Sequence, residues 1–350
     1  MAFLQTTVTD VTDLLDQLYT FLDSGGDGTW TGIYNEKLST ERQIGLSKGN
    51  CEISWGTRTS DRDQFNSGDP GGFDTILSGA LATTVTSNPG SETYAGHTGS
   101  LVSTEADSDR IRCNDLSATI NNVWFFSGTS PVSYCHCIAQ VDGDRYTHFS
   151  FGTIDPLEQT HTACAYAVGT YWVWWDDGAS GNNNPADTDH KIGHFAEDGG
   201  NCHIRVTDSS VLPAGFGISA GIHSGNQMLD NHTRTITVAG AWANTVDGKI
   251  NDFLMALDNQ AVTGGTPLFG LPLMVGDTGI ANSCWIGNIP DVRMVNIESH
   301  APGETVKFGS EEWLVFPLKR KGALEELQGG ASPIALANSS KYGLAYKKVV

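Results

Sequence analysis

Two short apolar runs near the end of the chain, Thr305–Phe308 and Trp313–Phe316, are joined by the polar link Gly309-Ser310-Glu311-Glu312. Runs this short, separated by a glycine-bearing turn, specify a β-hairpin. Pro302-Gly303 marks a further turn just ahead of it. The same pattern recurs along most of the chain. Asn122–Ser127 reads as a strand. Ser133–Val141 and Arg145–Phe151 flank the tight turn Asp142-Gly143-Asp144, and Tyr146, Phe149 and Phe151 add β bias. Trp30–Tyr34, Ile53–Trp55, Ala163–Gly169, Tyr171–Trp175, Cys202–Thr207 and Thr233–Val238 continue the series. With 41 glycines and frequent Asn, Asp, Ser and Thr, the composition suits many turns between short strands rather than long helices.

One segment keeps a different period. Val11, Leu14, Leu15, Leu18, Phe21 and Leu22 recur at three- and four-residue steps, which specifies an amphipathic helix. Thr9 or Asp10 serves as its cap, Asp13 sits near its positive end, and Gly25-Gly26 is expected to terminate it. Phe73–Leu81 is a candidate short helix. Trp242–Asp258 fits a helix face, with Gly248 weakening it, while Phe253–Leu257 fits a strand equally well. Pro267–Val275 is apolar and interrupted by Pro272, as in an edge strand or a packed crossover. Lys341–Tyr346 reads as a last strand. The expected fold is mainly β, formally α+β with one N-terminal helix, with a β-sandwich-like centre built of antiparallel hairpins. Three regions are expected, possible parts of one body: 1–120 (helix plus β-rich), 121–258 (central sandwich-like) and 266–350 (C-terminal hairpins), with the boundary near Asn259–Thr266.

Charge narrows the functional classes. Lys plus Arg number 20 against 40 Asp plus Glu, a formal net charge of −20. Direct binding to a nucleic-acid backbone needs clustered basic side chains, so it is not expected. No apolar run approaches the ~20 residues that span a bilayer, and no membrane partner is expected. The opening MAFLQTTVTD lacks a basic region followed by an apolar one, so synthesis in a cytoplasm is expected. The cysteine count is odd, at seven, which leaves at least one thiol unpaired within the chain.

Four groups of residues invite a chemical reading. Cys135, His136 and Cys137, with His161 and Cys164, can form a zinc site if their strands pair. A Cys137–Cys164 disulfide and simple apolar packing compete with it, and packing leads. On a strand, Cys135 and Cys137 share one face and His136 takes the other. His190 and His194, with Asp187, Asp189 and His203 nearby, lack the glutamate and the helix of a metalloprotease motif. Asp142-Gly143-Asp144 lacks the later ligands of a calcium loop, so it reads as a turn. Tyr171-Trp172-Val173-Trp174-Trp175, followed by Asp176-Asp177, offers either a sugar-stacking platform or a strand packed on both faces. No phosphate loop is present, and no G-x-G-x-x-G follows a strand. The sequence therefore assigns no catalytic, cofactor-binding or metal-binding residue, and no enzymatic activity is expected.

Three stretches carry a resemblance. MAF with TTVTDVTDLLDQLYTFL opens the chain, NNVWFFSGTSPVSYCHCIAQVDGDRYTHFSFGTI lies in its middle, and VGDTGIANSCWIGNIPDVRMVNIE, VKFGSEEWLVFPLKRKG and SKYGLAYKK close it. In this order they resemble structural proteins of tailed-bacteriophage virions, a loosely defined family of neck, collar and tail components. Asp176–Asn231 matches that pattern less well. The resemblance implies a virion protein that assembles as a symmetric ring or fibre with other copies and other virion proteins, without enzymatic residues. A receptor- or glycan-binding protein of the baseplate or tail tip is the alternative, and a metal-dependent envelope hydrolase is a second. Lys319-Arg320-Lys321 and Lys347-Lys348 stand out as basic against an acidic chain. They serve either as a docking element for an acidic neighbour or as a solvated tail.

Overall fold

The computed structural model describes residues 2–25, 29–38, 41–57, 77–81, 111–113, 116, 119–128, 132–157, 164–169, 171–173, 191–193, 202–206, 221–224, 234–236, 242–244, 269–276, 283–317, 321 and 342–348. Asp10 is extended, and its Oδ1 accepts hydrogen bonds from the amides of Thr12 (2.7 Å) and Asp13 (2.9 Å). Capped in this way, helix α1 runs over Val11–Asp23 and buries all six residues of its apolar stripe. Its end differs from the expected glycine cap. Ser24 is the C-cap at φ −133°, and both Ser24 and Gly25 donate to Thr20 O. The returning chain supplies a further donor, Trp30 N–H to Leu22 O at 3.2 Å, so the last carbonyls are satisfied without a left-handed turn.

The remaining elements are strands. In chain order they are Ala2–Thr6 (β1, before the helix), Thr31–Leu38 (β2), Glu41–Lys48 (β3), Cys51–Thr57 (β4), Leu77–Leu81 (β5), Ile111–Cys113 (β6), Ile120–Gly128 (β7) and Tyr134–Val141 (β8). Then come Arg145–Thr153 (β9), Asp155–Pro156 (β10), Cys164–Gly169 (β11), Tyr171–Val173 (β12), Lys191–Gly193 (β13), Cys202–Val206 (β14) and Gly221–Ser224 (β15). Last are Arg234–Ile236 (β16), Trp242–Asn244 (β17), Phe269–Gly276 (β18), Ser283–Asn296 (β19), Glu304–Phe308 (β20), Glu311–Pro317 (β21) and Tyr342–Lys348 (β22). All pairings are antiparallel. A central sheet has the order β1-β7-β8-β9-β11-β14-β15, and a second sheet has the order β2-β3-β4-β5-β6. The C-terminal sheet runs β10-β19-β22-β21-β20, with β18 also on β19, and β12-β13 and β16-β17 are separate ribbons. The fold is mainly β with one helix, as the sequence indicates.

Three layers result. On one face of the central sheet, Val123, Phe125, Cys135, Cys137, Ala139, Phe149 and Phe151 share a core with α1 and with Ile44, Ile53 and Trp55 of the second sheet. Trp55 contacts both Phe149 and Phe151, with ring centroids 4.6 and 6.0 Å apart. On the other face, Trp124 and Phe126 meet Phe316 and Tyr346 of the C-terminal sheet at 4.8 and 5.5 Å. Strands buried on both faces become near-continuous apolar runs, and that is why Ile120–Gly128 and Tyr134–Val141 lose clean alternation.

Both predicted hairpins form. Val141 pairs with Arg145 around Asp142 (φ 49°) and Gly143 (φ 87°), a turn that needs the left-handed region. Phe308 pairs with Glu311, so the second turn is only Gly309-Ser310 and the two glutamates belong to β21. Pro272 falls at a register shift in β18, an edge strand as expected. Leu77–Leu81 is a strand rather than part of a helix. Leu77, Gly79 and Leu81 alternate inward onto the core beside Trp55, and pairing with β4 and β6 overrides the local preference. Trp242–Asn244 is likewise a strand, and 245–258 lie outside the described residues. The three expected regions exchange strands: β1 joins the central sheet, and β10 joins the C-terminal one.

Gly152 marks the tightest point of the central sheet. Its φ is 151°, and a Cβ there would stand 2.3 Å from Ser133 O and 2.6 Å from Tyr134 Cα, both backbone atoms. Gly152→Ala is expected to cost about 3 kcal/mol of unfolding free energy, through strain and overpacking together. Urea titration against the wild type measures this, and an unchanged midpoint would remove Gly152 from the fold's requirements.

Candidate functional site

Register places an unusual set of side chains on one face of the central sheet. His136 lies opposite Ser150, Ile138 opposite His148, and Tyr134 and Tyr166 both opposite Gly152. All of these positions face the C-terminal sheet, and every one is buried. His148 Nε2 lies 2.9 Å from Pro317 O and its Nδ1 lies 2.8 Å from Tyr346 Oη. A carbonyl only accepts, so Nε2 carries the proton and the Tyr346 hydroxyl donates to Nδ1. His136 Nε2 similarly donates to Pro290 O at 2.8 Å. The Tyr346 ring lies between the two imidazoles, 5.4 Å from His136 and 5.8 Å from His148.

Beside this seam, β19 bends. Asp291 has φ 51°, uncommon for a residue with a side chain, and its carboxylate takes a 2.6 Å hydrogen bond from the Tyr134 hydroxyl. Lys347 bridges Glu311 (2.5 Å) and Asp291 (3.8 Å). The hydrogen bond to Glu311 raises its pKa, against the opposing effect of partial burial. Lys348 lies 5.6 Å from the Phe3 ring centroid, and Phe3 packs on Phe126. The basic end of β22 therefore engages its own chain. For Lys347 and Lys348 this overturns the expectation of a solvated tail, because β22 sits between β19 and β21 rather than trailing from the sheet; Lys319 and Arg320 lie outside the described residues.

Burial fixes the protonation states. Desolvation lowers the His136 pKa to about 3 and that of His148 to about 4, outweighing the carbonyl hydrogen bonds that favour the charged form. Burial also pushes the thiols of Cys113 and Cys137 far up and that of Cys164 to about 12. Thiols in that state are poor nucleophiles and poor metal ligands at neutral pH. Among the described residues, His136 Nδ1, Ser150 Oγ and Tyr166 Oη have no hydrogen-bond partner. Ser150 and His136 face each other across two strands, yet neither activates the other, and both are sealed from solvent. The arrangement holds two sheets together through polar side chains that are buried between them.

The sequence candidates fall out as follows. Cys135 and Cys137 do share a face and His136 takes the opposite one. Cys164 lies on the histidine side by register, opposed to Cys135 and Cys137, and Cys137 and Cys164 form no disulfide, so the Cys137–Cys164 alternative gives way to packing. Among the described residues, no three Cys, His, Asp or Glu side chains gather as a metal site would require. Lys191–Gly193 is a strand paired with Tyr171–Val173, which removes the helical setting of the His190–His194 motif. His161, His190, His194, Trp174, Trp175, Asp176, Asp177, Asp187 and Asp189 lie outside the described residues. His148 and Tyr346 escaped the sequence reading. The signal for His148 is the run Tyr146-Thr-His148-Phe-Ser150, where polar and aromatic residues fill every second position of a strand with no solvent face.

No family model matches this chain, and no curated protein matches it.

The seam predicts an acid response. An unfolded chain takes up both protons near pH 6.5, whereas the folded protein resists until about pH 4 at His148 and about pH 3 at His136. Stability is therefore full above the unfolded value and falls as pH drops below it, by up to ~1.4 kcal/mol per pH unit for each histidine. Urea midpoints at pH 7, 6 and 5 check this. His136→Gln/His148→Gln, which keeps an N–H for each carbonyl, is expected to flatten the slope over this range. An unchanged slope would assign the acid response to other groups.

Proposed function

We propose that the chain is a structural component of a tailed-bacteriophage virion, in the neck, collar or tail, made in the host cytoplasm and built into the particle as a symmetric oligomer. One observation carries the reading: the stretches that resemble virion proteins are the ones that form the interlocked frame. The first supplies β1 and α1, the middle stretch supplies β7, β8 and β9, and the closing stretches supply β19, β20, β21 and β22. These elements meet in the seam of His136, His148 and Tyr346 and in the core beneath α1.

The chemistry is consistent with a part that bears load rather than one that turns over substrate. The imidazoles of His136 and His148 and the thiols of Cys113, Cys137 and Cys164 are held neutral and buried. Its partners are other copies and other virion proteins, with neither a nucleic-acid backbone nor a membrane. Among the described residues, no helix is long and apolar enough to cross a bilayer.

Cryo-electron microscopy of purified particles, of the phage whose genome encodes this chain, tests the reading. The expected result is density for the three-layer body at a fixed place, with a copy number set by the local rotational symmetry. Antibody labelling of the same particles gives an independent check. Absence of the chain from infectious particles would overturn the proposal.

A further inference from the structure

Edges of sheets are where backbone donors and acceptors remain open, and proteins usually guard them with charge, proline or shortness. In the three larger sheets most edges are guarded. β2 carries Glu36 and Lys37, β6 carries Arg112, β10 ends in Pro156, β18 contains Pro272, and β20 carries Glu304 and Lys307. β15 is four residues long and begins with Gly221. Among the described strands, β1 is the exception, and no described strand pairs with its outer edge. Its sequence, Ala2-Phe3-Leu4-Gln5-Thr6, has no charge, no proline and no glycine.

This edge is also held rigidly. Five consecutive residues pair with β7, and Phe3 is fixed between Phe126 and the Lys348 ammonium. Leu4, directly opposite Phe125 in register, is 37% exposed and, among the described residues, is one of three large apolar side chains left open, with Leu157 and Phe308. We propose that the free edge of β1 pairs antiparallel with β1 of a second copy, with Leu4 on the two-fold axis. In this register Leu4 meets Leu4 of the second copy, Phe3 meets Gln5, and Ala2 meets Thr6, with no overhang and no charge opposed to a charge. A second copy brings another −20 of net charge, so an uncharged strand joined through backbone hydrogen bonds is the contact that repulsion opposes least. A five-residue pairing buries little surface, which makes the two-fold contact weak in isolation and additive within a multivalent assembly.

The proposal rests on the reading of this chain as a self-assembling part, and the test separates the two. Sedimentation of the full chain over a concentration series is expected to show mass rising toward a dimer or a multiple of it. Leu4→Lys and Leu4→Glu each place like charges against each other across the axis and are expected to weaken association about tenfold or more. Mixing the two variants is expected to restore it, because unlike charges then meet. Exchange of the amides of residues 2–6 with deuterium, in the wild type, is expected to slow as concentration rises, and this readout needs no variant. Association that survives both substitutions, or amides 2–6 equally exposed at all concentrations, would overturn the β1 contact and leave the assembly reading intact. A wild type that stays monomeric throughout would overturn both.

Discussion

A side chain on a sheet covered on both faces has no water to fall back on, and β7, β8 and β9 are in that position. Each polar group there must find a partner in the next layer or remain unsatisfied at a cost of about 1–3 kcal/mol. His148 meets the condition fully, through Pro317 O and the Tyr346 hydroxyl, and His136 meets it at one nitrogen. Those bonds reach backbone carbonyls at two separate places in the C-terminal sheet, so they fix its position as well as its distance. Apolar contact alone, such as Trp124 on Phe316, would tolerate some sliding. The carbonyl bonds do not, because an imidazole N–H has one direction.

The same layer ties the two ends of the chain together. β22 is the last described strand in sequence, yet it lies inside its sheet between β19 and β21. Its Tyr346 fills the seam, and its Lys348 covers Phe3 of the first strand. The C-terminal sheet is therefore incomplete until the end of the chain arrives, and the central sheet's apolar face stays uncovered until then. Contacts of such sequence separation carry a loop-closure cost before they stabilise anything. A body closed in this way is cooperative, and local opening of one layer exposes the other two.

Local signals made much of this readable. α1, with its cap at Asp10 and stripe from Val11 to Leu22, follows from spacing alone. So do the turn at Asp142-Gly143, the hairpin at Gly309-Ser310 and the edge strand around Pro272. The errors share a cause in tertiary context. Leu77–Leu81 carries no strong period and becomes a strand because β4 and β6 pair with it. Lys347 and Lys348 fit a solvated tail by sequence until β22 is placed beside Glu311, Asp291 and Phe3. The seam was half visible. His136 attracted attention for the wrong neighbours, the flanking cysteines, which alternation sends to the opposite face. Its true partners, Pro290 and Tyr346, lie more than a hundred residues away, where no sequence window reaches.

His136, His148 and the buried thiols are interior and neutral, so contact between this body and other molecules falls to its surface. That surface is acidic, and two copies repel each other over most orientations. Repulsion of this kind does not forbid assembly; it selects among contacts. Any approach through charged strands such as β2 or β20 sets Glu36, Lys37, Glu304 and Lys307 against a second set, and their desolvation has to be repaid by good pairing. An uncharged edge carries no such cost. Its hydrogen bonds come from the backbone, which mutation cannot remove, and its order is imposed by the layers behind it. In the assembly proposed above, the order that the buried histidines impose on the layers bears on association indirectly. A strand held in register by its own sheet loses little entropy on meeting another, so even a short edge can contribute to association.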